Sequence, residues 1–224
     1  MLTALSGAPP RRLALTPRDE DLVRWVARHG LVSADQVGRR FFPSMWAAWR
    51  RLRRLETAGL LRREPAFRDL PFVVRVTGAG ARLAACDVLP ARLDAGLLRH
   101  ALAVVDLSEQ LVGDAPGAEW ITERELRRDR MRAARVHPEE RQRRTPDGLL
   151  VLPGGRRVAV ELDLTPKRTR KLEQLADAYA LDASVECVWW FLPSAASAGR
   201  MREVIADRGL EHLIETRVRR TEQG

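Results

Sequence analysis

The chain is poor in the residues that build the most easily recognised sites. Cys86 and Cys187 are its only cysteines, far apart and outside any CxxC pair, which excludes a cysteine-rich zinc site and a disulfide framework. The histidines, His29, His100, His137 and His212, are dispersed without HxH or HxxxH spacing, so a histidine metal site is not expected. His100 lies on an apolar helix and reads as a satisfied interior residue. No Ser-His-Asp or Cys-His set is visible, and the "GAG" of residues 78–80 lacks the rest of a dinucleotide fingerprint. Long apolar runs are missing too, since Arg or Gly interrupts each one well short of a membrane span. The opening "MLTALSGAPPRR" has too short an apolar part, and its charge on the wrong side, for a secretory signal.

What is present is positive charge, unevenly placed. The formal net charge is +9, with Arg far outnumbering Lys. Residues 1–95 hold 17 Lys and Arg against 9 Asp and Glu, whereas residues 96–224 hold 22 against 21. A field concentrated in this way attracts polyanions. Thr16 and Pro17 start a helix through "RDEDLVRWVARH" that Gly30 ends. Ser33 and Gln36 make a capping-box pattern for a second, short helix. Ser44 opens a third, "MWAAWRRLRRLETA", closed by Gly59. Met45, Ala48, Trp49, Leu52 and Leu55 share one face of it; Arg50, Arg53 and Arg54 share the other, with Arg51 at the margin. "LLRREPAFRDLPFVVRV" then reads as strand, turn and strand, carrying Arg62, Arg63 and Arg68, and "VTGAGARLAA" as a closing helix. Residues 16–86 resemble winged-helix DNA-binding proteins, in which the last helix of the helix-turn-helix enters the major groove. The resemblance implies that Arg50, Arg51, Arg53, Arg54, Arg62, Arg63 and Arg68 meet double-stranded DNA. A protein-binding three-helix unit with a solvated arginine face is the alternative.

"DVLPARLDAG", residues 87–96, reads as a linker. The expected domains are therefore 1–90 and 91–224. Beyond the linker an apolar helix from Leu97 leads to a strand, "AEWIT", and a polar, arginine-rich stretch over 127–144. A hairpin follows, with strands at about 147–152 and 156–164 joined by "PGG". Val158, Val160, Leu162 and Leu164 should point one way, and Ala159, Glu161 and Asp163 the other. "KRTRKLEQLADAYALD" is a helix, "VECVWWFLP" an apolar strand whose Trp189 and Trp190 belong to a core or an interface, and a helix and a strand complete the chain. That order predicts an α/β sandwich with a mixed sheet, α+β overall when joined to the N-terminal unit.

An acid in "PD" before one strand and "ExD" in the next resembles the PD-(D/E)xK, or restriction-endonuclease-like, fold. That fold implies divalent metal, Mg²⁺ or Mn²⁺, on Asp147 and Glu161, hard oxygen ligands on one rigid face. It places a lysine where this chain has Asp163, so Lys167 or Lys171 would have to reach back, and Glu123 or Glu125 would supply a further acid. The two halves together resemble the replication-relaxation family of plasmids and integrative elements. The residues that carry this are "LTPRDEDLVRWVARHGLVSADQV", "RRLRRLETAGLL", "VTGAGARLA", "WITERELR" and "PDGLLV…VAVELDLTPK…KLEQLADAY". It implies a cytoplasmic, nucleoid-associated DNA-binding protein acting in replication, relaxation or transfer of mobile DNA. No membrane and no small-molecule cofactor are expected, and a homodimer is one expected assembly. Two other readings stand open: a transcriptional regulator with an inert dimerisation domain, and an active Mg²⁺-dependent endonuclease.

Overall fold

Hydroxyl caps set the helix starts of the first half. In the computed structural model, which describes residues 13–65, 72–86, 94–138, 140, 143–182 and 184–219, α1 spans Pro17–His29. Thr16 accepts from the Asp19 amide, and Asp19 returns a carboxylate to the Thr16 N–H at 2.7 Å. Ser33 and Gln36 form the same reciprocal box at α2, Ala34–Phe41. Ser44 caps α3, Met45–Thr57, and Gly59, at φ 71°, turns the chain out of it. Each cap satisfies amide donors that the first turn of a helix leaves without a partner.

Between α1 and α2 lies a strand that the sequence pattern does not announce, β1 at Val32–Ser33. It pairs antiparallel with β3, Val73–Val76, which also pairs with β2, Leu61–Glu64. The order is β1-β3-β2. The turn expected between β2 and β3, with Arg68, lies outside the described residues. α4, Gly78–Leu83, closes this half. Leu22, Val26, Val37, Ala48, Leu52, Leu55 and Val74 have no solvent exposure and form its core.

The chain divides into two compact units, Met1–Leu93 and Asp94–Gly224. Of the expected linker, 87–93 lie outside the described residues, while Asp94 already caps α5, Ala95–Asp114. In the second unit β4, Glu119–Thr122, runs straight into α6, Glu123–Ala133, through a Thr122–Glu125 capping box. The first part of the arginine-rich stretch, as far as Ala133, is thus helix. Strands β5, Gly148–Val151, and β6, Arg157–Leu162, flank a "PGG" turn in which Gly154 and Gly155 take φ of 93° and 88°. There follow α7, Thr169–Ala180; β7, Val188–Leu192; α8, Ala195–Ala206; and β8, Ile214–Val218. The sheet order is β4-β5-β6-β7-β8, antiparallel through β6 and parallel from β6 to β8.

Both faces of this sheet are covered. Val158, Val160 and Leu162 pack with Ala103, Leu107 and Leu111 of α5. Ala159 and Trp190 pack with Leu172, Leu175 and Tyr179 of α7 and Met201 and Ile205 of α8. The alternation expected along β6 is the alternation found, and it delivers Glu161 to the α7 side. No helix among the described residues is long and apolar enough to cross a membrane.

Candidate functional site

The first unit carries a cationic surface on α3. Its buried stripe is Ala48, Leu52 and Leu55. Trp46, Arg50, Arg53, Arg54 and Thr57 recur at helical spacing on the opposite, exposed side. Trp46 is 68% exposed, with the Arg50 guanidinium 4.4 Å from its ring centre. Together with Leu13–Leu15, this face lines an open groove of about 1250 Å³. Among the described residues neither Arg53 nor Arg54 meets a carboxylate.

Arg51 behaves differently from its neighbours. Its Nε donates to Asp19 Oδ1 at 2.7 Å, Nη2 contacts Oδ2, and Nη2 also donates to the Ala14 carbonyl at 3.0 Å. The Asp19 side chain has no solvent exposure. Burial works against its charge, but the Arg51 and Thr16 hydrogen bonds hold its carboxyl below the usual value. Expected at the DNA face, Arg51 instead ties α3 to the start of α1, because Asp19 is the one carboxylate buried under that edge of the helix. Arg63 is similarly engaged, its Nε 2.7 Å from Glu56 Oε2. Arg62 stays largely exposed, 3.8 Å from Glu64.

In the second unit the three strand carboxylates lie at one end of the sheet. Asp147 occupies the position before β5, where Gly148 is required, since a Cβ there would strike the Trp120 ring. Asp147 Oδ2 accepts from the Leu162 amide at 2.8 Å, and Oδ1 lies 3.0 Å from His100 Nε2 on α5. Glu161, 2% exposed, is gripped by Arg144: Nε donates to Oε1 at 2.9 Å and Nη2 to Oε2 at 2.6 Å. The Tyr179 hydroxyl adds a third donor to Oε1. Asp163, 3% exposed, pairs with Lys167 and accepts from Trp190 Nε1 at 3.3 Å. Of the remaining candidates, Glu123 pairs with Arg127 at the start of α6. Lys171 is exposed and lines an open pocket with Arg127, Arg143, Arg144 and Thr145.

Glu161 and Asp163 thus each have a cation of the same chain, and Asp147 has a histidine. Electrostatics follow from that burial. Burial raises the Glu161 carboxyl, with the Asp147 charge adding to it and Arg144 and Tyr179 opposing. Burial also opposes the charge on Arg144, yet the two-pronged bond to Glu161 leaves its proton held more tightly than usual. Lys167 is lowered by burial. His100 is raised above 6.5 by its hydrogen bond to Asp147, against the effect of burial.

The metal implied by the resemblance can be tested against this donor set. All four oxygens of Asp147 and Glu161 already accept a hydrogen bond from the chain. Among the described residues no three His, Cys, Asp or Glu side chains are grouped to hold a metal ion. A resident divalent ion wants several such oxygens free on one side. The cluster fits an internally neutralised network better than a metal cage.

Sequence reasoning named the acids and Lys167 but missed Arg144, Tyr179 and the His100 link. Arg144 sits directly before "TPD", and Tyr179 continues the 172, 175, 176 spacing of the buried face of α7, so both carried a faint signal. Residues 23–184 match the family model described as Replication-relaxation. No curated protein and no solved structure matches the chain.

Proposed function

The chain belongs to the replication-relaxation family, which gives it a role in replication or relaxation of plasmid or mobile-element DNA, and we propose that it performs this role by holding duplex DNA against α3. The single observation that carries the reading is the exposed row of Arg50, Arg53 and Arg54 on a helix whose opposite face is fixed in a core. The order α1–β1–α2–α3–β2–β3, with a small antiparallel sheet behind the third helix, supports a winged-helix reading of the unit. Guanidinium groups suit phosphate oxygens because their donors form a planar fork. Trp46, stacked with Arg50, adds an apolar edge beside those donors.

The second unit, on this reading, is a nuclease-like scaffold attached to the DNA-binding unit. The acids at the end of its sheet are engaged by side chains of the same unit and its total charge is nearly balanced, so on this reading the DNA-holding charge belongs to the first unit. Fluorescence anisotropy of a labelled duplex of about 30 base pairs, titrated with the full chain at low salt, tests the proposal. Binding that weakens steeply with added salt is expected, since phosphate contacts release counterions. No binding at low salt, or binding that ignores salt, would contradict it.

A further inference from the structure

Arg144 occupies both oxygens of Glu161, the buried carboxylate a metal ion would need, and it is held there from both ends. Its guanidinium grips Glu161 with two hydrogen bonds of 2.9 and 2.6 Å. Its backbone is gripped in turn by Arg130 of α6. Arg130 Nη1 donates to the Arg143 carbonyl at 2.8 Å and to Thr145 Oγ1 at 3.1 Å, and it contacts the Arg144 carbonyl. Three acceptors on three consecutive residues fix this strap, and the strap fixes the cation.

We propose that Arg144 is the permanent counter-ion of Glu161, positioned by Arg130, so that the carboxylate cluster of the second unit is neutralised without a divalent metal. Two carboxylates close together in a buried setting repel, and one ion between them removes that repulsion. A divalent ion could do this. Here a guanidinium on Glu161 offsets that repulsion, and an arginine stays charged at every accessible pH. A divalent ion added to the cluster as it stands would meet the Arg144 charge at contact distance, where repulsion is only partly screened. Tyr179 strengthens the arrangement by giving Glu161 a third donor. The remaining acids have their own partners, Lys167 for Asp163 and His100 for Asp147.

The inference predicts that a metal site appears when the arginine is taken away. Removing Arg144 leaves Glu161 buried beside Asp147 with no cation of its own, a vacancy suited to a small divalent ion with oxygen ligands. The full chain, stripped of metal, would be melted with and without millimolar Mn²⁺, and bound Mn²⁺ counted by loss of the free-ion paramagnetic resonance signal. Wild type should show no change in melting temperature and no Mn²⁺ bound at this cluster. Arg144→Ala should melt lower, bind Mn²⁺ and recover melting temperature with it; adding Glu161→Gln should abolish the binding. If Arg144→Ala does not fold, Arg130→Ala, which frees the strap without touching Asp147 or Glu161 (its own acid neighbour is Asp182, at 3.9 Å), should show the same gain in weaker form. Mn²⁺ bound by wild type and lost in its Glu161→Gln variant would overturn the proposal. So would folded Arg144→Ala or Arg130→Ala proteins that gain no Mn²⁺ binding. Mn²⁺ bound by wild type and kept in Glu161→Gln lies elsewhere and counts in favour of a closed cluster. None of these readouts involves DNA, so they stand or fall apart from the α3 reading.

Discussion

Arginine does opposite work in the two units. On α3, Arg50, Arg53 and Arg54 face solvent, and the surrounding unit carries most of the excess positive charge. In the second unit Arg144 grips Glu161, Arg130 holds the strap that carries Arg144, and Arg208 bonds Asp177 at 2.7 Å. The difference is one of available partners. Carboxylates nearly match the cations in number in the second unit, so several of its arginines are held in pairs. Among the described residues the outer face of α3 meets none, so its charge is left for a partner outside the chain. Arg51 marks the boundary, because it lies on α3 yet behaves like the arginines of the second unit.

That boundary gives the largest expected effect. Arg51→Ala should destabilise the first unit by about 3 kcal/mol, as expected when a buried acid loses its cation. Urea unfolding followed by the fluorescence of the tryptophans would measure it. The Asp19 carboxyl is held low, so the stability it adds is present at neutral pH and disappears as pH falls through its folded value, below 3.8. Arg51→Ala should remove that acid-dependent loss. A change as small as that of Arg53→Ala would erase the distinction between the two kinds of α3 arginine.

Gly148→Ala should cost the second unit about 1–3 kcal/mol, the range for forcing extra volume into a packed site. The new Cβ meets the Trp120 ring, and displacing it disturbs the residue next to Asp147. Thermal melting is sufficient to read it.

The smallest effect concerns His100. Its pKa is raised, so the stability it adds is complete below about 6.5 and fades as pH climbs through the folded value. Asp147, Glu123 and Glu161 are the acids that hold the proton there. The difference in melting temperature between wild type and His100→Gln should therefore be largest near about pH 5.5 and shrink towards about pH 8. A difference that grows with pH would mean that His100 is not a cationic partner of Asp147.

Much of the fold was legible because its signals were local. The Thr16, Ser33 and Ser44 caps, the "PGG" turn and the alternation along Val158–Asp163 each act within a few residues. β1 escaped notice because two residues carry no period, and it exists only because β3 needs a second neighbour. The site was half legible. Asp147, Glu161 and Asp163 were visible as acids on a strand, but what they meet depends on residues brought in from α5, the strap after α6, and α7. His100 is 47 positions from Asp147, and Tyr179 is 18 from Glu161. No spacing rule along the chain links such pairs. The Arg51–Asp19 pair was illegible for the same reason: the helical face of Arg51 is at the margin, and only the tertiary position of Asp19 brings the two together.

The salt dependence of DNA binding tests the central claim most directly. The logarithm of affinity should fall linearly with the logarithm of salt concentration, with a slope that counts phosphates neutralised. Removing Arg50, Arg53 and Arg54 together should flatten that slope by about 3, roughly one per arginine, while leaving the melting temperature of the protein unchanged. Arg144→Lys, in the second unit, should leave the slope as it is. A triple variant with an unaltered slope, or a slope that instead follows Arg144, would contradict the account.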